Sequence, residues 1–393
     1  MFGVLRQLNT PKLSAGILRW SLYIFRFMGA VGLRLKTTSD NRVAVEDSSL
    51  KWKWFSAIIR IGCQTIFMTM FFSWDVPNVE YTEHFLHLNR FVLQFGCCMS
   101  ILRLQILQGQ EVTKLVNNLL QLFRRVQDFC DGNHNGFGGK NELIVLLFMI
   151  LSFIHEEIYI LNLIKPYWSP REIIAVFADT YLSFGIKMLT YFACLWYISL
   201  ALLYSDLNDF VRSELLTLDL QPTNEKLRKT RKNVRKCLDF YRDLSSLASA
   251  FQKVYDLPLV FGLGYNGMCS LLFAYLVIIR IKYDMILLCS NTVNELLNIF
   301  ILAWSVQRAV VKSGEIRLLM LDNSDLSKIR NWQKNVLYIF FLQFEWCYIE
   351  LSVYEFRVRP LGLFNVSKEL FMEFLSAMVS YLTILVQYRI QLE

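Results

Sequence analysis

Seven stretches of about twenty mostly apolar residues constrain this chain more than any motif, because that is the length a helix needs to cross a hydrocarbon layer of about 30 Å. They lie near 54–74, 84–108, 142–164, 172–204, 257–280, 284–307 and 364–388. Inside lipid the backbone must satisfy its own hydrogen bonds, so each stretch is expected to be an α-helix. The expected fold is therefore all-α, a polytopic membrane protein with seven transmembrane helices. The charged share agrees: 19% of the 393 residues, against about 25% in soluble globular chains. Thirty-one phenylalanines suit surfaces facing lipid and its interface.

Two further apolar stretches are of a different kind. Residues 14–33 carry Arg19 and Arg26 seven apart, hence on one face, the pattern of an interfacial amphipathic helix. Residues 335–351 contain Glu345 and Glu350. An unpaired charge at the bilayer centre costs about 3 kcal/mol, so this stretch is expected to be a protein-packed helix at the membrane edge. Arg6, Lys12, Arg19 and Arg26 interrupt every candidate core for a cleavable signal peptide, and insertion is expected to use an internal span.

Charge sets the orientation. With the N-terminus inside, Lys and Arg number nine in 1–53, four in 109–141, ten in 205–256 and eight in 308–363, or 31 of the 41 in the chain. Basic residues are retained on the cytoplasmic side, which predicts a cytoplasmic N-terminus and an extracellular C-terminus. The chain then divides into a cytoplasmic amphipathic segment (1–53), helices one to four (54–204), a basic cytoplasmic loop (205–256), helices five and six (257–307), a second cytoplasmic region (308–363), and the last helix with its extracellular end (364–393).

Few residues carry recognisable chemistry. The nine cysteines fall mostly in apolar runs without CxxC or His/Cys pairing, so neither a zinc site nor a disulfide framework is indicated, and buried free thiols are expected. Nothing calls for a cofactor, a metal or a nucleic-acid partner, and no nucleophile and base share a helical spacing, so no enzyme is expected. Lys226 to Lys236 holds seven basic residues in eleven, which reads as a solvated helix face or a contact with anionic membrane lipids. The run CDGNHNGFGGK at 130–140 reads as a connector.

The last helix is different. At about 100° per residue, Ser380, Tyr381, Ile384, Gln387, Tyr388 and Gln391 share one stripe, while Leu382, Leu385 and Val386 face elsewhere. Lipid cannot satisfy the Gln387 amide, so that stripe should meet protein or water.

A seven-span chain suggests a G-protein-coupled receptor, but DRY-like and NPxxY motifs are missing and the charge bias runs the opposite way. The sequence instead resembles the insect gustatory receptor family, whose C-terminal signature is Thr-Tyr, five apolar residues, then Gln-Phe. Here it stands as Ser380, Tyr381, Leu382, Thr383, Ile384, Leu385, Val386, Gln387 and Tyr388. Ser for Thr and Tyr for Phe keep chemical type, and Thr383 is a polar departure. A turn-like Gly362-Leu363-Phe364 ahead of the last span, the chain length, the basic N-terminus and the inside placement of that terminus also fit.

That resemblance implies a taste receptor: a ligand-gated, non-selective cation channel in the plasma membrane of gustatory neuron dendrites, assembled as a homo- or heterotetramer. The last helices would line a central pore with Ile384, Gln387 and Tyr388, an apolar constriction beside a ring of amides. Ser380 and Tyr381 would be motif residues, Tyr381 packing between helices. Residues 205–256 and 308–363 would form a cytoplasmic anchor joining subunits. A small-molecule tastant would enter the outer half of each subunit, where His155, Glu156, Glu157, Tyr159, Asp179, Tyr181, Tyr275, Asn291, Asn294 and Glu295 are candidates. Glu156 or Glu157 has an alternative use in facing water or pairing with Lys187. The absence of a sugar-recognition pattern tilts the ligand toward bitter or other deterrent compounds. The competing reading is a seven-span chemoreceptor that signals through a cytoplasmic partner without its own pore.

Overall fold

The computed structural model describes residues 13, 16–17, 19–20, 23–24, 32–37, 43–73, 81–130, 139–163, 169–218, 224–279, 285–321 and 356–392. The stretch 335–351 lies outside them. Of the expected interfacial helix at 14–33, the described residues from Gly16 to Ile24 are helical. Ile17 and Ile24 lean on the core while Trp20 and Tyr23 are exposed, an amphipathic division.

All seven expected spans are helices: α1 (Leu50–Ser73), α2 (Tyr81–Ile106), α4 (Lys140–Leu163), α5 (Pro170–Leu218), α6 (Asn224–Ile279), α7 (Met285–Leu321) and α8 (Lys368–Leu392). An additional helix, α3 (Gly109–Phe129), follows α2. Five of these, α2, α5, α6, α7 and α8, are apolar and long enough to cross a membrane by composition alone. The 24 residues of α1 and of α4 each give about 36 Å of helix, also a membrane thickness. Their exposed rows, Phe55, Ile58 and Ile66 on α1 and Ile144, Leu147, Leu151 and Ile158 on α4, are the outward apolar surface that lipid requires.

Helix α5 is the hub. It packs against α1, α2, α3, α4, α6 and α7, and the whole of its apolar stretch is buried, including Phe184, Tyr197, Leu200, Leu203 and Tyr204. Aromatic rings tie it to α6, with Trp196 stacked on Phe251 at 4.3 Å and Phe192 on Tyr255 at 5.5 Å.

Residues 205–218 and 224–256, expected as part of a loop, are helical. Helix α5 continues to Leu218 and α6 has already begun at Asn224. At 1.5 Å per residue, the 56 residues of α6 make a rod of about 84 Å, far longer than a bilayer is thick. The reason is a second hydrophobic pattern: Val234, Cys237, Tyr241, Leu244, Ala248, Phe251 and Tyr255 recur at alternating spacings of three and four and are all buried, the spacing of a helix packed along another helix. Pro258 lies inside α6 without ending it. The ends of α5, α6 and α7 that reach beyond the expected spans lie together as a helical stalk, with Asn208 on α5 donating to the Lys312 carbonyl on α7 at 2.8 Å and accepting from Tyr241 on α6.

On this stalk α3 lays an amphipathic face of Val112, Leu115, Val116, Leu119, Leu122 and Val126. A hairpin packs against α3: β1 (Leu33–Thr37) pairs antiparallel with β2 (Val43–Asp47), Leu35 opposite Val45. This is a departure from an all-helical chain. Alternation places Leu33 and Val45 inside and Arg34 and Lys36 outside. Asn117 of α3 finishes the strand edge, receiving the Val45 N–H at 2.9 Å and donating to its carbonyl at 2.7 Å.

A tight turn at Pro360–Gly362 precedes the last helix, with Leu361 at φ 50° and Gly362 at φ 73°. Glycine adopts the left-handed region without steric cost. The turn is held against α6 by Gln252, whose amide donates to the Arg359 carbonyl at 3.0 Å, and closed by the Val366 N–H on the Val358 carbonyl at 3.0 Å.

Candidate functional site

Polar residues of α4, α5 and α7 meet along one seam. Ser290, Asn291, Asn294, Glu295 and Asn298 recur along a face of α7, and that face looks into the bundle. Ser290 Oγ lies 3.0 Å from His155 Nε2 on α4. Glu295 meets Lys187 of α5 at 2.8 Å, both side chains less than a tenth exposed. Asn298 Oδ1 accepts from Ser152 Oγ of α4 at 3.1 Å and from the Tyr191 hydroxyl of α5 at 3.0 Å. Near the stalk end of the same helix pair, Arg308 of α7 meets Glu142 of α4 at 2.5 Å. An ionised group this deep persists only with a partner, and each of these charges has one.

Asn291 and Asn294 are buried beside these pairs. Among the described residues the Asn291 and Asn298 Nδ2 atoms, Glu295 Oε2 and His155 Nδ1 have no hydrogen-bond partner. A buried polar atom left so forfeits about 1–3 kcal/mol, and a run of them along one seam is where a polar guest gains most. The seam therefore unites His155, Asn291, Asn294 and Glu295 of the expected residues. The side chains of Glu156, Glu157 and Tyr159 lie outside the described residues, and Lys187, their alternative partner, is bound to Glu295.

Three expected residues sit elsewhere. Asp179 of α5 binds Arg90 of α2 at 2.6 Å and accepts from Gln94 at 2.8 Å, while Arg90 also reaches the Tyr265 hydroxyl of α6 at 3.4 Å. Tyr265 in turn lies 2.6 Å from Ser183 Oγ. This knot joins α2, α5 and α6. The Tyr181 ring lies under the Arg60 guanidinium of α1 at 5.2 Å. Tyr275 is fully buried with Leu86, Leu272 and Leu276 in the cluster that carries Leu382 and Leu385 of the last helix. Sequence reasoning passed over Ser152, Lys187, Tyr191 and Asn298 as members of the seam. Asn298 stands seven residues after Asn291 and three after Glu295, a helical repeat that marks it for the same face.

Among the described residues, the last helix packs chiefly on one side. It touches α6 and α7 through Leu382 and Leu385, through Phe371 against Phe300 at 5.3 Å, and through Phe374. The ring of Phe374 lies over Gly267, where a β-carbon would stand 2.8 Å from its Cε2. Among the described residues, no part of the apolar stretch of α8 is buried, whereas all of that of α5 is. Ser380, Tyr381, Ile384, Gln387, Tyr388 and Gln391 are exposed together, and Leu382, Leu385 and Val386 are half-buried. Tyr381 is 61% exposed and Tyr388 48% among the described residues.

A bundle of long apolar helices with a polar seam between α4, α5 and α7 defines a multi-pass membrane fold. The chain belongs to the 7tm chemosensory receptor family, whose model matches residues 18–392. Proteins provisionally named gustatory receptors 92a and 93b of Drosophila melanogaster are each 30% identical to it. The match covers 100% of this chain and 99% of the first relative, and 99% and 97% for the second. Its fold is similar to that of the insect olfactory receptor OR5 from Machilis hrabei, with TM-score 0.63 and 13% identity over 94% of this chain and 97% of that one. The structure of OR5 in complex with eugenol is similar at TM-score 0.57, with 12% identity over 95% and 99% of the two chains.

Proposed function

We propose that this chain is a gustatory receptor subunit forming a ligand-gated cation channel for contact chemosensation, opened by a small organic tastant of the bitter or deterrent kind. Its N-terminus lies in the cytoplasm and its C-terminus outside, in the plasma membrane of sensory dendrites. The observation that carries the reading is the free face of α8, where Ile384, Gln387 and Tyr388 are exposed beside the motif residues Ser380 and Tyr381. An amide there has no partner in lipid. Copies of the same helix around a shared axis, as in a tetramer, supply water and one another, with Ile384 as an apolar constriction and Gln387 as a ring of carbonyls and amides able to replace ion hydration.

The ligand reading rests on the seam of α4, α5 and α7, which gathers His155, Asn291, Asn294 and Glu295 at mid-depth. That OR5 has been captured with eugenol supports a small organic guest for this fold. The stalk of α5, α6 and α7 with α3 supplies the cytoplasmic anchor. Its alternating apolar spacing makes it rigid enough to hold subunits while the loosely bound α8 shifts.

The test is ligand-evoked current from this chain expressed in cells without G-protein signalling, over a panel of bitter compounds and sugars. Current is expected, and Gln387→Ala should reach the surface normally and change conductance or cation selectivity. Ligand responses that require a cytoplasmic partner and carry no current of their own would favour a receptor without a pore.

A further inference from the structure

We infer, building on the reading that ligands enter the seam between α4, α5 and α7, that the seam selects neutral molecules bearing a hydroxyl group and rejects organic cations and carboxylates. Its formal charges already cancel. Lys187 and Glu295 are joined at 2.8 Å and almost fully buried, and the neighbouring Arg90 and Asp179 are joined at 2.6 Å. A charged guest meets no counter-ion there and loses its hydration without compensation. An ammonium placed on Glu295 Oε2 stands beside the Lys187 ammonium, and a carboxylate near Lys187 stands beside Glu295.

Neutral hydrogen-bonding capacity remains. The Nδ2 groups of Asn291 and Asn298, 5% and 1% exposed, are donors without a partner, and Glu295 Oε2 is an acceptor without one, among the described residues. A hydroxyl both gives and takes a hydrogen bond, so one such group satisfies an amide donor and the carboxylate oxygen together. The three residues span about 10 Å along one face of α7, the length of a small molecule. Met149, Phe184 and Met188 are buried on the facing helices, and Phe153 meets Phe184 edge-on at 4.3 Å, which supplies apolar wall for the body of the guest.

The experiment uses full-length receptor purified in detergent and a set of probes with one skeleton: 2-phenylethanol, protonated 2-phenylethylamine and phenylacetate at neutral pH. Equilibrium dialysis is expected to show the alcohol binding at least about tenfold more tightly than either ion. Asn291→Leu should weaken the alcohol about tenfold at an unchanged melting temperature; Asn298→Leu should weaken it as much but also lower that temperature, because the Ser152 and Tyr191 hydroxyls lose their acceptor. Where one of the two loses the folded receptor, the other reads the same quantity. An ion that binds as tightly as the alcohol, an alcohol indifferent to both Asn substitutions, or no binding of the alcohol overturns the inference. Because binding is read without current, a receptor that binds the alcohol through these residues but conducts nothing contradicts the channel and leaves the selectivity standing.

Discussion

Lys187 and Glu295 show how little freedom a charge has inside this bundle. Each is surrounded by apolar helix, and each is tolerable because the other stands 2.8 Å away. Removing one partner strands the other, at a cost of about 3–5 kcal/mol, while replacing both by apolar groups of similar size is close to neutral. Glu295→Gln or Lys187→Met alone is therefore expected to lower the thermal stability of the purified receptor, and Lys187→Met with Glu295→Leu to restore most of it. Additive losses in the double variant would show that the two groups are not coupled. At this scale the sequence was legible in part. Intramembrane Asn and Glu on α7 marked the seam, but Asp179 and Tyr181, equally conspicuous in the sequence, are spent on Arg90 and Arg60. Pairing partners 89 residues apart, as Arg90 and Asp179 are, leave no periodic trace.

Spans were the legible elements, since about twenty apolar residues have one solution in lipid. Helical stretches outside the expected spans were harder, because their pattern is a stripe instead of a run. The stripe of α3 and the alternating spacing of Val234 to Tyr255 can both be found by period, yet the basic residues between them favour a reading as loop. The hairpin of β1 and β2 is short, and its pairing depends on Asn117 of α3, a contact 72 residues away. The turn ahead of α8 fixes where that helix begins. Gly362 has φ 73°, and a β-carbon there would meet nothing within 4 Å, so only backbone conformation is at stake. Gly362→Ala should loosen the turn by about 1 kcal/mol. The Val366 amide, bonded to the Val358 carbonyl, should then exchange with solvent about fivefold faster. An unchanged rate would mean that this turn does not hold the start of α8.

Across the whole molecule, seven helices bury one another unevenly. The hub α5 is enclosed, α1 and α4 turn apolar rows outward, and α8 rests on α6 and α7 with a mixed polar face left bare. Lipid accepts the rows of α1 and α4 but not the amide of Gln387, and it is on this difference that the proposed contact of α8 with other copies of the chain rests. The charge bias makes orientation a prediction: an epitope placed after Glu393 is expected to be stained on intact cells, and staining only after permeabilisation would reverse the topology. The central claim is that the face of α8 bearing Gln387 lines an ion path while the face bearing Leu385 does not. Its most direct test is block of ligand-evoked current by a cationic methanethiosulfonate reagent applied outside, compared between Gln387→Cys and Leu385→Cys. The account predicts rapid block of the Gln387→Cys channel and none of the Leu385→Cys channel beyond the unsubstituted receptor. Current that persists through Gln387→Cys channels shown to have been labelled would contradict it.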